Sequence, residues 1–225
     1  MVILPNIPVE VETRKNVFIT QSRTGVRRTV TKSPAVRFYT LDYKFWDQDE
    51  YETYLVDWNS FYPSTAVSWT NADLNASGDF YLDSSIKATV GDPEDFGFSL
   101  SLRAKVGLSP SNPGSTTITN RPNFTYEITN DKIVLISDSV GYARKARATG
   151  NMSRQYLLSF NNRTLAETLA MENFWAYHYP KTQVTFTDDT FSETLTCWLD
   201  SNFRWVVNGV NLIDYSFVIT EVIGS

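Results

Sequence analysis

Tyr54-Leu55-Val56-Asp57-Trp58-Asn59-Ser60-Phe61-Tyr62-Pro63 has a counterpart further along the chain, Met171-Glu172-Asn173-Phe174-Trp175-Ala176-Tyr177-His178-Tyr179-Pro180. Trp58 and Tyr62-Pro63 meet Trp175 and Tyr179-Pro180 at a shift of 117 residues. Working outward, the same shift needs no gap. Val17 falls on Val134, Ile19 on Ile136, Ser22 on Ser139 and Arg27-Arg28 on Arg144-Lys145. Arg37 and Tyr39 fall on Arg154 and Tyr156, Glu50 on Glu167, and Leu82-Asp83-Ser84 on Leu199-Asp200-Ser201. Over residues 9–108 about a fifth of positions are identical, where ordinary composition gives roughly one in sixteen. One constant offset across such a span reads as a duplication. The expected organisation is a first module over 1–108, a linker over 109–120 and a second module over 121–225. The linker reading rests on Ser109-Pro110-Ser111-Asn112-Pro113-Gly114, residues that punctuate regular structure and pack no core.

Each copy carries the same order of signals. An extended pair comes first: in copy two, Lys132 to Ile136 reads as a buried strand and Gln155 to Phe160 as its partner. Between them lies a polar, basic stretch, Val140 to Gly150, with Arg23 to Pro34 as its equivalent. One helix follows. Asp47-x-x-Glu50 and Thr164-x-x-Glu167 have the spacing of a capping box, and Pro63 and Pro180 end both helices. Tyr51, Tyr54, Leu55, Trp58, Phe61 and Tyr62 recur on one apolar face. Trp58, Trp175, Tyr62 and Tyr179 are therefore expected in the cores. Three strands complete copy two: Thr182 to Thr187, a bent Ser192 to Val207, and Val210 to Val222, with Asn208-Gly209 as a tight hairpin. Tyr215 to Ile219 is apolar enough to be covered on both faces. The fold class expected is mainly β with one helix per module, a sandwich or partly open barrel.

The 225 residues carry a formal net charge of −5. The first 108 hold 11 Lys/Arg and 14 Asp/Glu, the remainder 9 and 11. Such even, mild acidity argues against binding duplex phosphate by charge. Cys197 is the single cysteine, so no intrachain disulfide is expected. The opening Met1 to Asn6 lacks the basic and apolar regions of a secretory leader. No apolar run reaches the ~18 residues of a membrane helix. The four Asn-x-Ser/Thr triplets, from Asn75, Asn123, Asn151 and Asn162, read as chance in a chain expected to be soluble and made in a cytosol.

No catalytic constellation repeats between the copies. His178, the only histidine, lies on a core-facing helical stripe where copy one has Phe61, and a Cys197–His178 dyad would face Phe80 and Phe61 in the other copy. Two Cys/His residues are too few for a structural zinc site. Asp47, Asp49, Glu50 and Glu52 suit a helix N-terminus. Asp73, Asp79 and Asp83 have calcium-like spacing, which copy two breaks with Thr190 and Thr196. No enzyme activity, cofactor or metal is expected. The recurrent basic residues Arg23, Arg27, Arg28 and Lys32, matched by Arg144, Lys145 and Arg147, are candidates for docking to acidic faces of neighbouring subunits.

Gly141-Tyr142-Ala143-Arg144 resembles the turn after the first strand in the lambda minor tail protein M and distal tail protein family of tailed bacteriophages. Thr196-Cys197-Trp198 and the closing Ser216-Phe217-Val218-Ile219-Thr220-Glu221-Val222 resemble two later strands of the same family. The resemblance spans most of copy two and reaches copy one through the repeat. The lambda-type protein is one module long, whereas this chain has two. The resemblance implies the tail-tube fold and a virion protein made in the bacterial cytoplasm. It would form a ring near the junction of tail tube and baseplate, among tube, hub and tip proteins, around a channel that passes DNA without reading it. A main tail tube protein is a close alternative. Two linked modules imply a trimer with pseudo-six-fold symmetry, or a hexamer with a second tier. A reading from another class is a two-module carbohydrate-binding protein, given 6 Trp and 12 Tyr. No membrane insertion is expected.

Overall fold

The structure, a computed structural model, describes residues 6–21, 27–46, 48–84, 86–90, 96–123, 127–131, 134–138, 144–148, 153–189, 192–209 and 212–222. It is mainly β with two helices. The first half runs β1 (Asn6–Arg14), β2 (Val17–Gln21), β3 (Arg27–Thr31), β4 (Val36–Trp46), α1 (Gln48–Phe61), β5 (Val67–Asn71), β6 (Ala76–Leu82), β7 (Lys87–Val90) and β8 (Phe96–Ala104). The second runs β9 (Glu127–Asp131), β10 (Val134–Asp138), β11 (Arg144–Ala148), β12 (Ser153–Arg163), α2 (Leu165–His178), β13 (Val184–Asp188), β14 (Glu193–Leu199), β15 (Phe203–Gly209) and β16 (Leu212–Glu221).

In the first half β4 pairs with β1 and β8, β8 also pairs with β6 and β7, and β6 with β5. In the second β12 pairs with β9 and β16, β16 also pairs with β14 and β15, and β14 with β13. The registers correspond as well. Tyr39 lies opposite Leu102 and Tyr156 opposite Ile219; Lys87 lies opposite Ser99 and Arg204 opposite Ser216. In each case both residues move by 117. Even the ladder irregularity between Tyr43 and Trp46 recurs between Phe160 and Arg163. The halves meet edge to edge where β1 pairs with β15, so among the described residues all strands except two hairpins belong to one twelve-stranded sheet.

The hairpins correct the expected first pair. β10 pairs with β11, and β2 with β3, while Gln155 to Phe160 pairs with β9 and β16 instead. Arg27–Thr31 and Arg144–Ala148, within the polar stretches between the expected pairs, supply the second arms. The expected bent strand from Ser192 is two strands, broken at Asp200 to Asn202. Asn208 and Gly209 belong to β15, with Gly209 opposite Leu212, so that dipeptide is not the turn itself.

Burial follows the period of two that strands impose. Tyr39, Leu41 and Tyr43 are buried on β4, and Tyr156, Leu158 and Phe160 on β12. β16 alternates too: Ile213, Tyr215, Phe217 and Ile219 are buried, and its other face is half-covered rather than sealed. Helix α2 is capped as its spacing predicts. Thr164 accepts from the Glu167 backbone N–H, and the Glu167 side chain accepts from that of Thr164. Asp47, the corresponding expectation for α1, lies outside the described residues.

The helices differ in cover. Trp175 is fully buried, donates Nε1–H to the Ser201 carbonyl at 2.9 Å and stacks on buried Tyr179. Trp58 stacks on Tyr62 in the same way, but α1 has no buried residue: Trp58 is half-buried and Tyr62 is 38% exposed. Tyr62 is thus not a core residue and Trp58 only borders the core. The reason is that α2 lies between its own sheet and residues of the first half and linker, whereas among the described residues α1 packs on its own sheet alone.

Candidate functional site

Chemistry-bearing side chains concentrate where the halves meet. The ladder sets Glu10 opposite Val206, Val11 opposite Trp205 and Glu12 opposite Arg204. Val11 and Trp205 are fully buried. On the outer face Arg204 pairs with Glu10, and Asn202 donates to Glu12 at 2.7 Å.

Behind the ladder, Glu172 of α2 is 1% exposed. Arg37 from β4 donates to it through Nε at 3.0 Å and through a second nitrogen, and Thr13 donates its hydroxyl. Burial opposes the Arg37 charge, but the hydrogen bonds and charge of Glu172 overcome this and raise the guanidinium above its ordinary pKa. Lys15 donates to the carbonyls of Ala176 and Tyr179 at 2.9 and 2.6 Å. It thereby places a cation at the C-terminal, electronegative end of α2. Glu172 interrupts the apolar run Met171, Phe174, Trp175. A lone acid on such a face was the signal that could have pointed to a buried partner.

The linker is stitched to the same surface. The Leu108 backbone N–H donates to Ala35, that of Ser111 to Asn173, and that of Ile118 to Thr185. A Cβ on Gly107 would come within 2.5 Å of Pro34 Cγ, so only glycine fits where the chain leaves the first half.

Of the basic candidates, Arg23 lies outside the described residues. Arg27 stands on β3, but its side chain is only 3% exposed. It meets Asp200 at 2.6 Å and lies over the Trp198 ring at 5.1 Å. Its charge is thus spent within the chain, between the halves. Arg28 and Lys32 are exposed. Arg144, Lys145 and Arg147 stand on β11, and their side chains lie outside the described residues.

A cleft of about 490 Å³ opens between α1 and the sheet, lined by Tyr43, Tyr54, Trp58 and Trp69 with Asp49 and Asp57 at its margin. Burial pushes the Tyr43 hydroxyl up to about 12 and raises Tyr54 further, so both are neutral donors.

His178 is buried, its Nε2 2.9 Å from the Ser115 carbonyl and its ring between Phe174 and Tyr177. Burial pushes the Cys197 thiol up to about 12, which leaves it protonated and a poor nucleophile. Asp79 accepts from Ser68 and Lys105, and Asp83 faces Arg103 at 3.6 Å. Among the described residues no group of three or more His, Cys, Asp or Glu gathers as a metal site. No helix among them is long and apolar enough to cross a membrane. The residues brought together are those that hold the two halves of the chain to each other. No protein-family model matches this chain, and neither does any curated protein sequence.

Proposed function

We propose that this chain is a structural ring subunit of a bacteriophage tail, placed at or near the junction of tail tube and baseplate, and that its halves are one tail-tube-like module in tandem duplicate. The observation that carries the reading is the shared register of the two halves together with their edge-to-edge joint. A module that joins a copy of itself side by side is the unit a ring requires. The short motifs at Gly141 to Arg144, Thr196 to Trp198 and Ser216 to Val222 direct the reading to the tail family. Mild acidity suits a wall past which DNA slides, since a basic wall would hold phosphate. Three chains supply six modules, giving a trimer with pseudo-six-fold symmetry. Main tail tube protein is the neighbouring alternative. Electron micrographs of the purified protein test the reading: rings with a central hole are expected, and isolated solid particles at all concentrations overturn it.

A second reading draws on the cleft under α1, whose Trp58 and Trp69 could stack on a sugar ring. A glycan array probed with wild type and Trp58→Ala tests it: binding lost on substitution supports a receptor-binding role, and a blank array removes it.

A further inference from the structure

The joint between the halves uses one edge of the first half, β1, and one edge of the second, β15. Each strand has a counterpart in the other half. β9 is paired with β12 as β1 is with β4, and β7 is paired with β8 as β15 is with β16. Among the described residues, neither β9 nor β7 has a neighbour on its other side. The chain therefore carries the two halves of a second joint, β7 and β9, with no strand among the described residues that closes it. An unpaired strand edge is a template for another strand.

We propose that β7 of one chain pairs antiparallel with β9 of a second copy in the register of β15 and β1. This rests on the ring reading and names the surface that makes the ring. In the existing joint Glu10, Val11 and Glu12 face Val206, Trp205 and Arg204. Carried over by the shift of 117, Glu127, Ile128 and Thr129 face Thr89, Ala88 and Lys87.

The residues at these positions complement one another as those of the joint do. The positions of the Glu10–Arg204 ion pair are held by Glu127 and Lys87, again one acid and one base. The positions of the Arg27–Asp200 pair over Trp198 are held by Arg144, Asp83 and Tyr81, again a base, an acid and an aromatic ring. β11 of one copy would thus reach the first half of its neighbour as β3 reaches the second half within the chain.

The uncovered face of α1 fits as well. Val56 is 66% exposed, and its counterpart Asn173 is held by the linker. Tyr62 is exposed, and its counterpart Tyr179 is buried with its carbonyl on Lys15. The joints differ at several points: Ala88 stands where Trp205 stands, Thr129 where Glu12 stands, and Asp83 and Tyr81 already meet Arg103 within the chain. Leu55 stands where Glu172 stands, and Arg154, the counterpart of Arg37, is already paired with Glu193 and Glu221 at 2.9 and 2.8 Å. The second joint is less polar at the helix.

Cysteines at Lys87 and Thr129 test the pairing, because the corresponding Arg204 and Glu12 lie on the outer face of the ladder. The doubly substituted chain, mildly oxidised, should give covalent species of two and three chains on denaturing gels. Each single variant alone should give none, and a mixture of the two singles only the two-chain species. Native mass spectrometry is run on the same samples. A mass of three chains without cross-links overturns the β7–β9 joint and leaves the ring reading intact. A ladder running past three keeps the joint and overturns closure at three. Monomer alone, without cross-links, overturns both. In a second arm, Arg144→Glu should lower ring yield at least tenfold and Asp83→Arg in the same chain should restore it. Failure of the rescue removes that contact from the proposal.

Discussion

Arg27 was expected on a face that docks a neighbouring subunit. Its recurrence with Arg144 marked it as an interface residue, but its own interface lies inside the chain, against Asp200 and Trp198. Removing one partner of a largely buried ion pair leaves the other uncompensated. Arg27→Ala should therefore cost about 2–3 kcal/mol in urea denaturation, less than the ~3–5 of a fully buried pair because Asp200 keeps some water. Arg27→Met with Asp200→Asn should recover most of that loss, and an equally unstable double variant would put the effect elsewhere. Carboxylates give a second handle. Burial opposes the charge of Glu12, yet hydrogen bonds from Arg14 and Asn202 hold it below its ordinary 4.5, and the hydrogen bond from Arg154 does the same for Glu221. A carboxylate depressed in the folded state stabilises that state above its unfolded pKa, and the benefit is lost as pH falls through the folded value. Tm should hold from pH 7 to 5 and decline below about 4.5. Glu12→Gln with Glu221→Gln should start lower at neutral pH and decline less steeply.

The two helices share a spacing, a Trp-Tyr stack and a following Pro, yet differ in what covers them. Trp175→Ala should cost roughly 3–5 kcal/mol, as for a buried aromatic. Trp58→Ala should cost roughly 1–2, in proportion to the area it buries. Equal losses in chemical denaturation would mean that α1 is covered in solution as α2 is. Periodicity and capping made both helices legible from the chain alone, because Thr164 and Glu167 act within one turn. β16 was legible as a strand but not in its cover, since Tyr215 to Ile219 read as covered on both faces and its buried residues instead keep a period of two. Partner choice was not legible. Nothing local in Val134 to Ile136 says that it pairs with β11 rather than β12, since both ladders satisfy the same backbone groups. The Arg37–Glu172 pair was equally hidden, for its members lie 135 residues apart and only the folded sheet brings them together.

At the scale of the molecule, the linker is not what holds the halves together. The β1–β15 ladder, the Arg37–Glu172 and Arg27–Asp200 pairs and the Lys15 contacts all cross the boundary without it. A single proteolytic cut within 110–114 should leave two fragments that elute together from a sizing column and separate only in denaturant. Fragments that part under native conditions would show the joint to be weak. The joint also has a history in time. Thr13 faces Phe203, so 190 residues of synthesis separate the two sides. At ~5–20 residues per second, β1 waits roughly 10–40 s on the ribosome for β15. Throughout that wait its outer edge is open to any strand from a chain emerging alongside. Glu10, Glu12 and Arg14 punctuate that edge with charge, a common guard against premature pairing. On a crowded polysome, the fidelity of the finished protein depends on how well three charged side chains keep β1 unclaimed until its own partner arrives.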